Sequence, residues 1–401
     1  MAGRWFAAVA AAFVVVLVPA PARARAASCE QLPAPGRVVR EVPYEERLYD
    51  LSRIAPVSTG AGVRVAVIDS GVDDRHPQLR GHVDRGRDLL HGNQDGRQDC
   101  VGHGTGVASI IAARPAEGVA FQGLAPGVTI VPVRITEKEE IDGAEVGDDG
   151  SPADFAEAIR WAASKDGGDA RVINLSVVMT RDDAQVRRAV AQAVADGVVV
   201  VAAAGNNGGR EQGNPTPYPA AYPGVIGVGA VGPDGARADF SQHGEYVDVV
   251  AAGEGVTVAA PGRGHTTQQG TSFATPFVSA AAALILQRLP TLTPAQVQRR
   301  LTATADPAPG GGRSDEYGFG LLNPYRAVTE TLSERPPAPA PAVLLTEDPA
   351  VAALQARRDR AQDRSLVVGA AGLTLAVLAV VAVGVVRRGR RRGWRPAGTG
   401  S

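Results

Sequence analysis

Four side chains in this sequence could together carry out acyl transfer at a carbonyl group. Ser272 opens an apolar stretch and could act as a nucleophile, and His103 lies between two glycines and could accept its proton. Asp69 ends an apolar run and could hold the imidazole, while Asn206 could turn its amide toward an oxyanion. A hydroxyl, an imidazole, a carboxylate and an oxyanion donor are the groups that serine hydrolysis requires.

Ser272 by itself has a simpler explanation. Residues 273–289 predict a long helix that is apolar nearly all round and therefore buried. Serine is a common N-cap at such a position, so the cap is the better interpretation of this residue alone. Free backbone N–H groups and the positive end of the helix dipole also collect there, which suits a nucleophile beside a base. The other three side chains favour the nucleophile.

Short apolar runs that alternate with amphipathic segments predict an α/β domain with a mainly parallel sheet flanked by helices. Such sheets place their ligands at the carboxyl ends of the strands, where Asp69 and Asn206 fall. The predicted strands are 63–68, 128–134, 172–175, 198–204 and 225–231, and the predicted helices are 102–112, 153–164, 184–195 and 273–289.

The segments around these side chains resemble the signatures of the subtilisin-like serine peptidases, in that family's order of Asp, His and Ser. The resemblance covers roughly residues 59–328 and implies the subtilisin-like fold. The segments are VIDSGV at 67–72, GHGT at 102–105 and GTSFATP at 270–276, with AAGN at 203–206 and INLS at 173–176.

The resemblance implies a role for each matching residue. Ser272 would attack a peptide carbonyl, His103 would shuttle the proton, and Asp69 would orient His103. Asn206 would hold the oxyanion together with the N–H of Ser272. Ser176 would belong to the strand that pairs with substrate backbone. Protein or peptide substrates follow from this resemblance.

The two ends of the chain predict export and a membrane anchor. Arg4, an apolar run and small residues near Ala26 are typical of a signal peptide. Residues 366–386 carry no charge and are long enough to cross a bilayer, and the Arg-rich tail that follows predicts a cytoplasmic end. The predicted organisation is a signal peptide (1–26), an N-terminal extension (27–58), a peptidase domain (59–330), a Pro/Ala-rich linker and juxtamembrane segment (331–365), a transmembrane helix (366–386) and a basic tail (387–401).

This architecture resembles the mycosins, the membrane-anchored subtilases associated with type VII secretion. The resemblance implies a single-pass protein of the cell membrane with its catalytic domain outside, cutting a restricted set of exported substrates. Mycosins are also implicated in holding the secretion complex together, so a structural subunit with dispensable proteolysis is an alternative function. A degradative protease of the cell surface is another.

The chain has two cysteines, Cys29 and Cys100, both in the part predicted to be exported. Oxidising conditions there favour a disulfide, which would close a loop of about 70 residues and contribute about 4 kcal/mol in the chain-entropy model. Residues 26–29 also loosely resemble a lipidation signal, but charged residues interrupt the approach to it. We therefore predict the disulfide.

The predicted extension, residues 27–58, has about 30 residues and a short helix around 45–53, and it is too small to fold alone. The predicted disulfide between Cys29 and Cys100 would keep the extension attached even if the chain were cleaved after it. We therefore expect it to stay wrapped on the catalytic domain.

No cofactor is required by this chemistry, and the sequence predicts no metal ligand. The acidic segment 137–149 could bind calcium, as subtilases often do, but its spacing fits no strict motif and a solvated loop is the better interpretation. A net charge of −1 argues against nucleic acid as a partner. The remaining histidines are expected in loops or at the surface: His76, His82, His91, His243 and His265.

Overall fold

The computed structural model describes residues 33–92, 95–141, 144–146, 149–209, 213–332 and 383–388. The chain divides into a unit that ends at Leu332 and a second that begins at Ser333. In the second unit only a helix at 383–388 is described. No helix among the described residues has the length and apolar character needed to span a bilayer.

A seven-stranded sheet forms the centre of the first unit, with the order β2-β3-β1-β6-β7-β8-β9 and parallel pairing throughout. The predicted α/β fold with a mainly parallel sheet is confirmed. The strands are β1 (Arg64–Asp69), β2 (Arg87–Asp88), β3 (Thr129–Arg134), β4 (Glu139–Ile141), β5 (Ala144–Val146), β6 (Val172–Leu175), β7 (Val199–Ala203), β8 (Val225–Val231), β9 (Val249–Ala252), β10 (Val256–Ala259) and β11 (His265–Gln268).

Helices cover both faces of this sheet, as parallel strands require. On β1, Val65 and Val67 face the core that contains α3 and α6, while Ala66 and Ile68 face the core that contains α4 and α5. This alternation follows from the two-residue period of a strand. The helices are α1 (Tyr44–Tyr49), α2 (Leu51–Ile54), α3 (His103–Ala112), α4 (Pro152–Ala163), α5 (Ala184–Ala195), α6 (Thr271–Arg288), α7 (Pro294–Ala303) and α8 (Pro324–Thr329).

The long apolar helix α6 runs through the middle of the unit. Every residue from Thr271 to Leu286 is buried. A run of alanines at 280–283 lets the neighbouring strands and α3 approach it closely. The prediction that this helix is buried all round is confirmed, and it begins two residues earlier than the pattern indicated.

The described part of the N-terminal extension, residues 33–58, packs on the catalytic unit. Arg37 and His265 exchange two backbone hydrogen bonds, of 3.0 and 2.8 Å, in an antiparallel bridge. The hydroxyl of Tyr49 accepts the N–H of Ala252 at 2.8 Å. The single helix predicted at 45–53 is divided into α1 and α2, because Asp50 between them has the left-handed backbone conformation.

Of the histidines expected in loops or at the surface, His265 lies buried in β11, so that prediction was wrong for it, whereas His76 lies in a loop as expected but is also buried. Both rings are neutral and form hydrogen bonds where the N-terminal extension packs on the catalytic unit. The Nδ1 of His265 accepts the N–H of Val39 at 3.3 Å, and its Nε2–H donates to Oε1 of Gln78 at 2.7 Å. The Nε2–H of His76 donates to the carbonyl of Gly264 at 3.1 Å.

The buried His265 should make the protein less stable in acid. Burial, together with the nearby His76, lowers the pKa of His265 to about 4. Between pH 6.5 and 4 the unfolded chain binds a proton that the folded chain does not, so the free energy of unfolding falls as the pH drops, by about 3 kcal/mol over this window. Urea unfolding at pH 7 and pH 4.5 measures this loss.

His265→Gln is the matched control for this prediction, because an amide can replace the hydrogen bonds of the ring but does not titrate. Its stability should depend less on pH than that of the wild type. Equal slopes for the two proteins would contradict the prediction.

Several predicted features lie outside the described residues. They are the signal peptide, Cys29, the linker and most of the predicted membrane span, and all of these stay predictions. Cys100 is buried and is not a free thiol. Its pairing with Cys29 is likewise still a prediction.

Candidate active site

Asp69 and His103 form a hydrogen-bonded pair at the carboxyl end of β1. The side chain of Asp69 is fully buried, whereas that of His103 is 31% exposed. Oδ1 of Asp69 lies 2.7 Å from Nδ1 of His103 and also accepts the N–H of Ser70 at 2.7 Å. An ionised carboxylate only accepts, so the proton lies on Nδ1 and Nε2 keeps its lone pair. This is the tautomer that a general base needs.

The pKa of His103 is raised above its ordinary value. Burial acts to lower it, but the charge of Asp69 and the hydrogen bond to that carboxylate raise it by more, and the charge of Asp99 adds to the rise. A raised pKa makes the imidazole a stronger base and stabilises the imidazolium. Only the neutral ring can accept a proton, so catalysis through His103 is lost as the pH falls through this raised pKa.

Ser272 is the second residue of α6, next to a residue that packs on His103. The rings of Phe273 and His103 have their centroids 5.0 Å apart. Ser272 is 7% exposed, and backbone N–H groups in the first turn of a helix have no intrahelical acceptor. The predicted nucleophile and the predicted base are therefore brought to the same end of the sheet.

A chain of hydrogen bonds holds the backbone of Ser272. Pro276 lies within α6 and has no N–H to donate to the carbonyl of Ser272, four residues earlier. The hydroxyl of Ser176 donates to that carbonyl instead, at 2.8 Å. Ser176 accepts from Nδ2 of Asn174 at 2.9 Å, and Oδ1 of Asn174 accepts the hydroxyl of Ser279 at 2.8 Å. The first turn of α6 is thereby tied to the end of β6.

Ser176 was predicted to bind substrate, and the structure shows what its hydroxyl contacts. The residue lines a cavity of about 200 Å³ with Asp69 and His103, while its side chain supports Ser272. Pairing of its backbone with substrate stays a prediction. Asn174 and Ser279 were not among the predicted site residues, although a polar residue inside a buried strand and a serine inside an apolar helix are both signals of a buried hydrogen bond.

The side chain of Asn206 is held by the residue before the nucleophile. Its Oδ1 accepts the backbone N–H of Thr271 at 2.8 Å and the hydroxyl of Thr271 at 2.9 Å. With the oxygen fixed in this way, the NH₂ group points elsewhere. A Cβ placed on Gly270 would lie 3.2 Å from Nδ2 of Asn206 and 2.9 Å from Oγ of Ser272. Gly270 therefore keeps open a space between the amide donor and the hydroxyl, where an oxyanion could form.

Thr271→Val should weaken catalysis by loosening Asn206. Valine has the same shape as threonine but removes the hydroxyl that donates to Asn206 and that accepts the N–H of Gly205 at 3.0 Å. A donor misplaced by about 1 Å costs on the order of 10²-fold, so we expect kcat to fall between about 10- and 100-fold.

The measurement is kcat for a quenched-fluorescent casein substrate. Thr271→Ser is the matched control, because it restores the hydroxyl and should retain most of the activity. Equal kcat for Thr271→Val and the wild type would show that Asn206 is positioned without this bond.

The acidic segment 137–149 borders the same cavity at both of its ends. Lys138 and Asp149 line the cavity and form an ion pair of 3.0 Å. Strands β4 and β5 form an antiparallel hairpin between them. Among the described residues, no group of three or more His, Cys, Asp or Glu side chains is placed to hold a metal ion. Calcium binding here is untested.

Comparison with known proteins identifies relatives over most of this unit. The family described as the subtilase family matches residues 60–320. Subtilisin E of Bacillus subtilis is 38% identical over 270 residues, which are 67% of this chain and 66% of that protein. Mycosin-1 of Mycobacterium tuberculosis is 35% identical over 388 residues, covering 86% of this chain and 85% of that protein.

Solved structures agree with this comparison. MycP1 with its N-terminal propeptide removed is 32% identical and superposes with a TM-score of 0.64, covering 73% of this chain and all of that one. A serine protease MycP1 described as an essential component of the type VII (ESX-1) secretion system is 33% identical, also with a TM-score of 0.64, covering 75% of this chain and 93% of that one. The predicted resemblance to subtilases and to mycosins is confirmed.

Proposed function

The chain belongs to the subtilase family of serine peptidases, and we propose that it is a membrane-anchored serine endopeptidase of the mycosin type. Its substrates are exported proteins, and it acts beside a type VII secretion complex. One observation carries the proposed activity: the buried carboxylate of Asp69 holds His103 in the tautomer of a general base, beside the helix that carries Ser272 in its first turn.

The proposed mechanism uses the groups described above. Oγ of Ser272 attacks the peptide carbonyl while Nε2 of His103 takes its proton, and Asp69 stabilises the imidazolium. Nδ2 of Asn206 and the N–H of Ser272 receive the oxyanion. His103 then gives the proton to the departing amine, which leaves an acyl ester on Ser272. Water, activated by His103, hydrolyses that ester and releases the second product.

The proposed location depends on the ends of the chain and on the relatives. The uncharged stretch 366–386 and the arginines after it support a single-pass anchor with the catalytic unit outside. MycP1, a relative of similar fold, is described as an essential component of a type VII secretion system. An anchored catalytic unit would remain close to the membrane that holds such a complex, where newly exported substrates emerge.

Export through the host's type VII system tests the proposed role. A strain lacking the protein is compared with strains that carry Ser272→Ala or the wild type, with equal amounts of protein in the membrane. Loss of export in both the deletion strain and the Ser272→Ala strain supports an essential proteolytic role. Export by Ser272→Ala but not by the deletion identifies a structural subunit instead. Normal export in the deletion favours a degradative protease of the cell surface.

We propose in addition that the N-terminal extension is permanent. Its described part contributes backbone to β11 through Arg37 and a buried ring through Tyr49, so its loss would expose groups that are paired in the folded unit. Intact-mass measurement of the protein from membranes should show an N-terminus before Cys29. A mature N-terminus beyond Cys29, with the segment absent, would disprove this.

A further inference from the structure

Asp99 is a buried carboxylate for which the mechanism above assigns no role. It is 1% exposed. Its Oδ1 accepts the hydroxyl of Ser70 at 2.9 Å and the N–H groups of Val101 and Gly102 at 3.2 and 2.7 Å. Its Oδ2 accepts the N–H and the hydroxyl of Thr105 at 2.8 and 2.6 Å. Five donors converge on one side chain.

These donors belong to the start of the helix that carries His103. Helix α3 begins at His103, and Gly102 before it has no side chain to cap the helix. Asp99 supplies that cap from outside the helix. Ser70 completes it, because its Oγ accepts the N–H of Gly104 at 2.9 Å while its hydroxyl donates to Asp99. A carboxylate at a helix N-terminus also interacts favourably with the helix dipole.

The same contacts connect both members of the Asp69–His103 pair. Ser70 directly follows Asp69, and its N–H donates to Oδ1 of Asp69, the atom that binds His103. Its hydroxyl donates to Asp99. Asp99 is thus fixed on one side to the end of β1 and on the other to the first turn of α3. A shift of Asp99 would move Asp69 and His103 relative to each other.

We propose that Asp99 is a positioning residue for His103: it holds the first turn of α3 against Asp69, and its charge stabilises the imidazolium that forms during catalysis. This inference rests on the proposed function of His103 as the general base. The charge of Asp99 adds to that of Asp69, so two buried carboxylates stabilise the imidazolium of His103.

The electrostatics agree with this arrangement. The charge of Asp99 contributes to the raised pKa of His103, after burial and the larger effects of Asp69. Burial raises the pKa of Asp99, the hydrogen bonds from Thr105 and Gly102 oppose that rise, and the charge of Asp69 adds to it. The other charged groups at the cavity of His103, Lys138 and Asp149, form an ion pair with each other.

Asp99→Asn tests the proposal, because the amide keeps the shape but loses the charge and one acceptor. The assay is the rate at which a fluorophosphonate probe labels Ser272, measured from pH 5 to pH 9. Oγ bonds to phosphorus, fluoride leaves, and His103 takes the hydroxyl proton, so no peptide preference is involved. We expect the plateau rate to fall about tenfold, and the acid limb of the profile to move to lower pH, because the charge of Asp99 contributes to the raised pKa of His103.

Two further variants separate position from charge. Ser70→Ala keeps the charge of Asp99 but removes the acceptor for Gly104, so the plateau should fall while the acid limb moves less than in Asp99→Asn. Asp248→Asn is the control, since this carboxylate precedes β9 at the opposite edge of the sheet, where it accepts from Gly227 and Gln298. Asp248→Asn should leave both the plateau rate of labelling and the pH of the acid limb unchanged.

An acid limb that does not move in Asp99→Asn would overturn the electrostatic role and leave Asp99 a structural cap. Should Asp99→Asn not fold, an unchanged plateau in Ser70→Ala would overturn the positioning role. Absence of labelling in the wild type would disprove the proposed function itself, a result distinct from both.

Discussion

Replacing Ser272 with alanine should lower kcat for peptide hydrolysis on the order of 10⁶-fold, the scale that subtilisin shows for its own nucleophile. The hydroxyl lies at the start of α6, beside the space that Gly270 keeps open and next to the residue that packs on His103. Without Oγ no acyl ester can form, and only binding and the oxyanion donors remain.

Two measurements test this expectation on the purified full-length protein in detergent. Cleavage of quenched-fluorescent casein should fall to the level of the blank, and the fluorophosphonate probe should no longer label the protein. Ser164→Ala is the matched control, because this exposed serine follows α4 as its C-cap, its hydroxyl donates only to the carbonyl of Trp161 among the hydrogen bonds described, and the variant should retain full activity. Persistent labelling of Ser272→Ala would place the nucleophile elsewhere in the chain.

Asp69→Asn should lower kcat by about 10⁴-fold while leaving the fold intact. An asparagine that donates to Nδ1 of His103 places the ring proton on Nε2, where it can no longer accept from Ser272. The variant also removes the charge that raises the pKa of His103, so this pKa should fall. The side chain is fully buried, so solvent cannot replace the missing carboxylate.

The test is kcat together with an NMR titration of His103 in the wild type and the variant. Asp248→Asn again serves as the control, because it removes a carboxylate at the opposite edge of the sheet. A kcat within tenfold of the wild type would mean that Asp69 does not set the tautomer of His103.

Much of the fold could be predicted from the apolar runs. Strands β6 (Val172–Leu175) and β8 (Val225–Val231) and helix α5 (Ala184–Ala195) have the predicted bounds, since each is a strongly patterned segment with polar or turn residues around it. Strand β9 (Val249–Ala252) was not among the predicted strands. In a run of four small apolar residues, the pattern of hydrophobicity cannot distinguish a strand from a buried helix. The segment is a strand because it pairs with β8.

The surroundings of single polar residues could not be predicted in the same way. His265 lies in a polar, glycine-containing stretch that is typical of a loop at the surface, yet it is buried under the N-terminal extension. Asp99 lies in a polar, glycine-containing stretch between β2 and α3 that carries no sign of its role, although it caps the helix that carries His103. Burial of such residues depends on segments far away in the sequence, and local composition contains no information about them.

The family, the α/β fold class and the residue types available for catalysis could all be predicted from local patterns. These patterns are the apolar runs that lead to Asp69 and Asn206 and the glycine-containing start of an apolar helix at Ser272. How these residues are held in place depends instead on contacts between segments that are distant in the sequence. The hydroxyl of Ser176 replaces the hydrogen bond that Pro276 cannot make, and Thr271 orients Asn206. These contacts join strand ends and helix starts that are distant in the chain, and they form only when the sheet and α6 pack together.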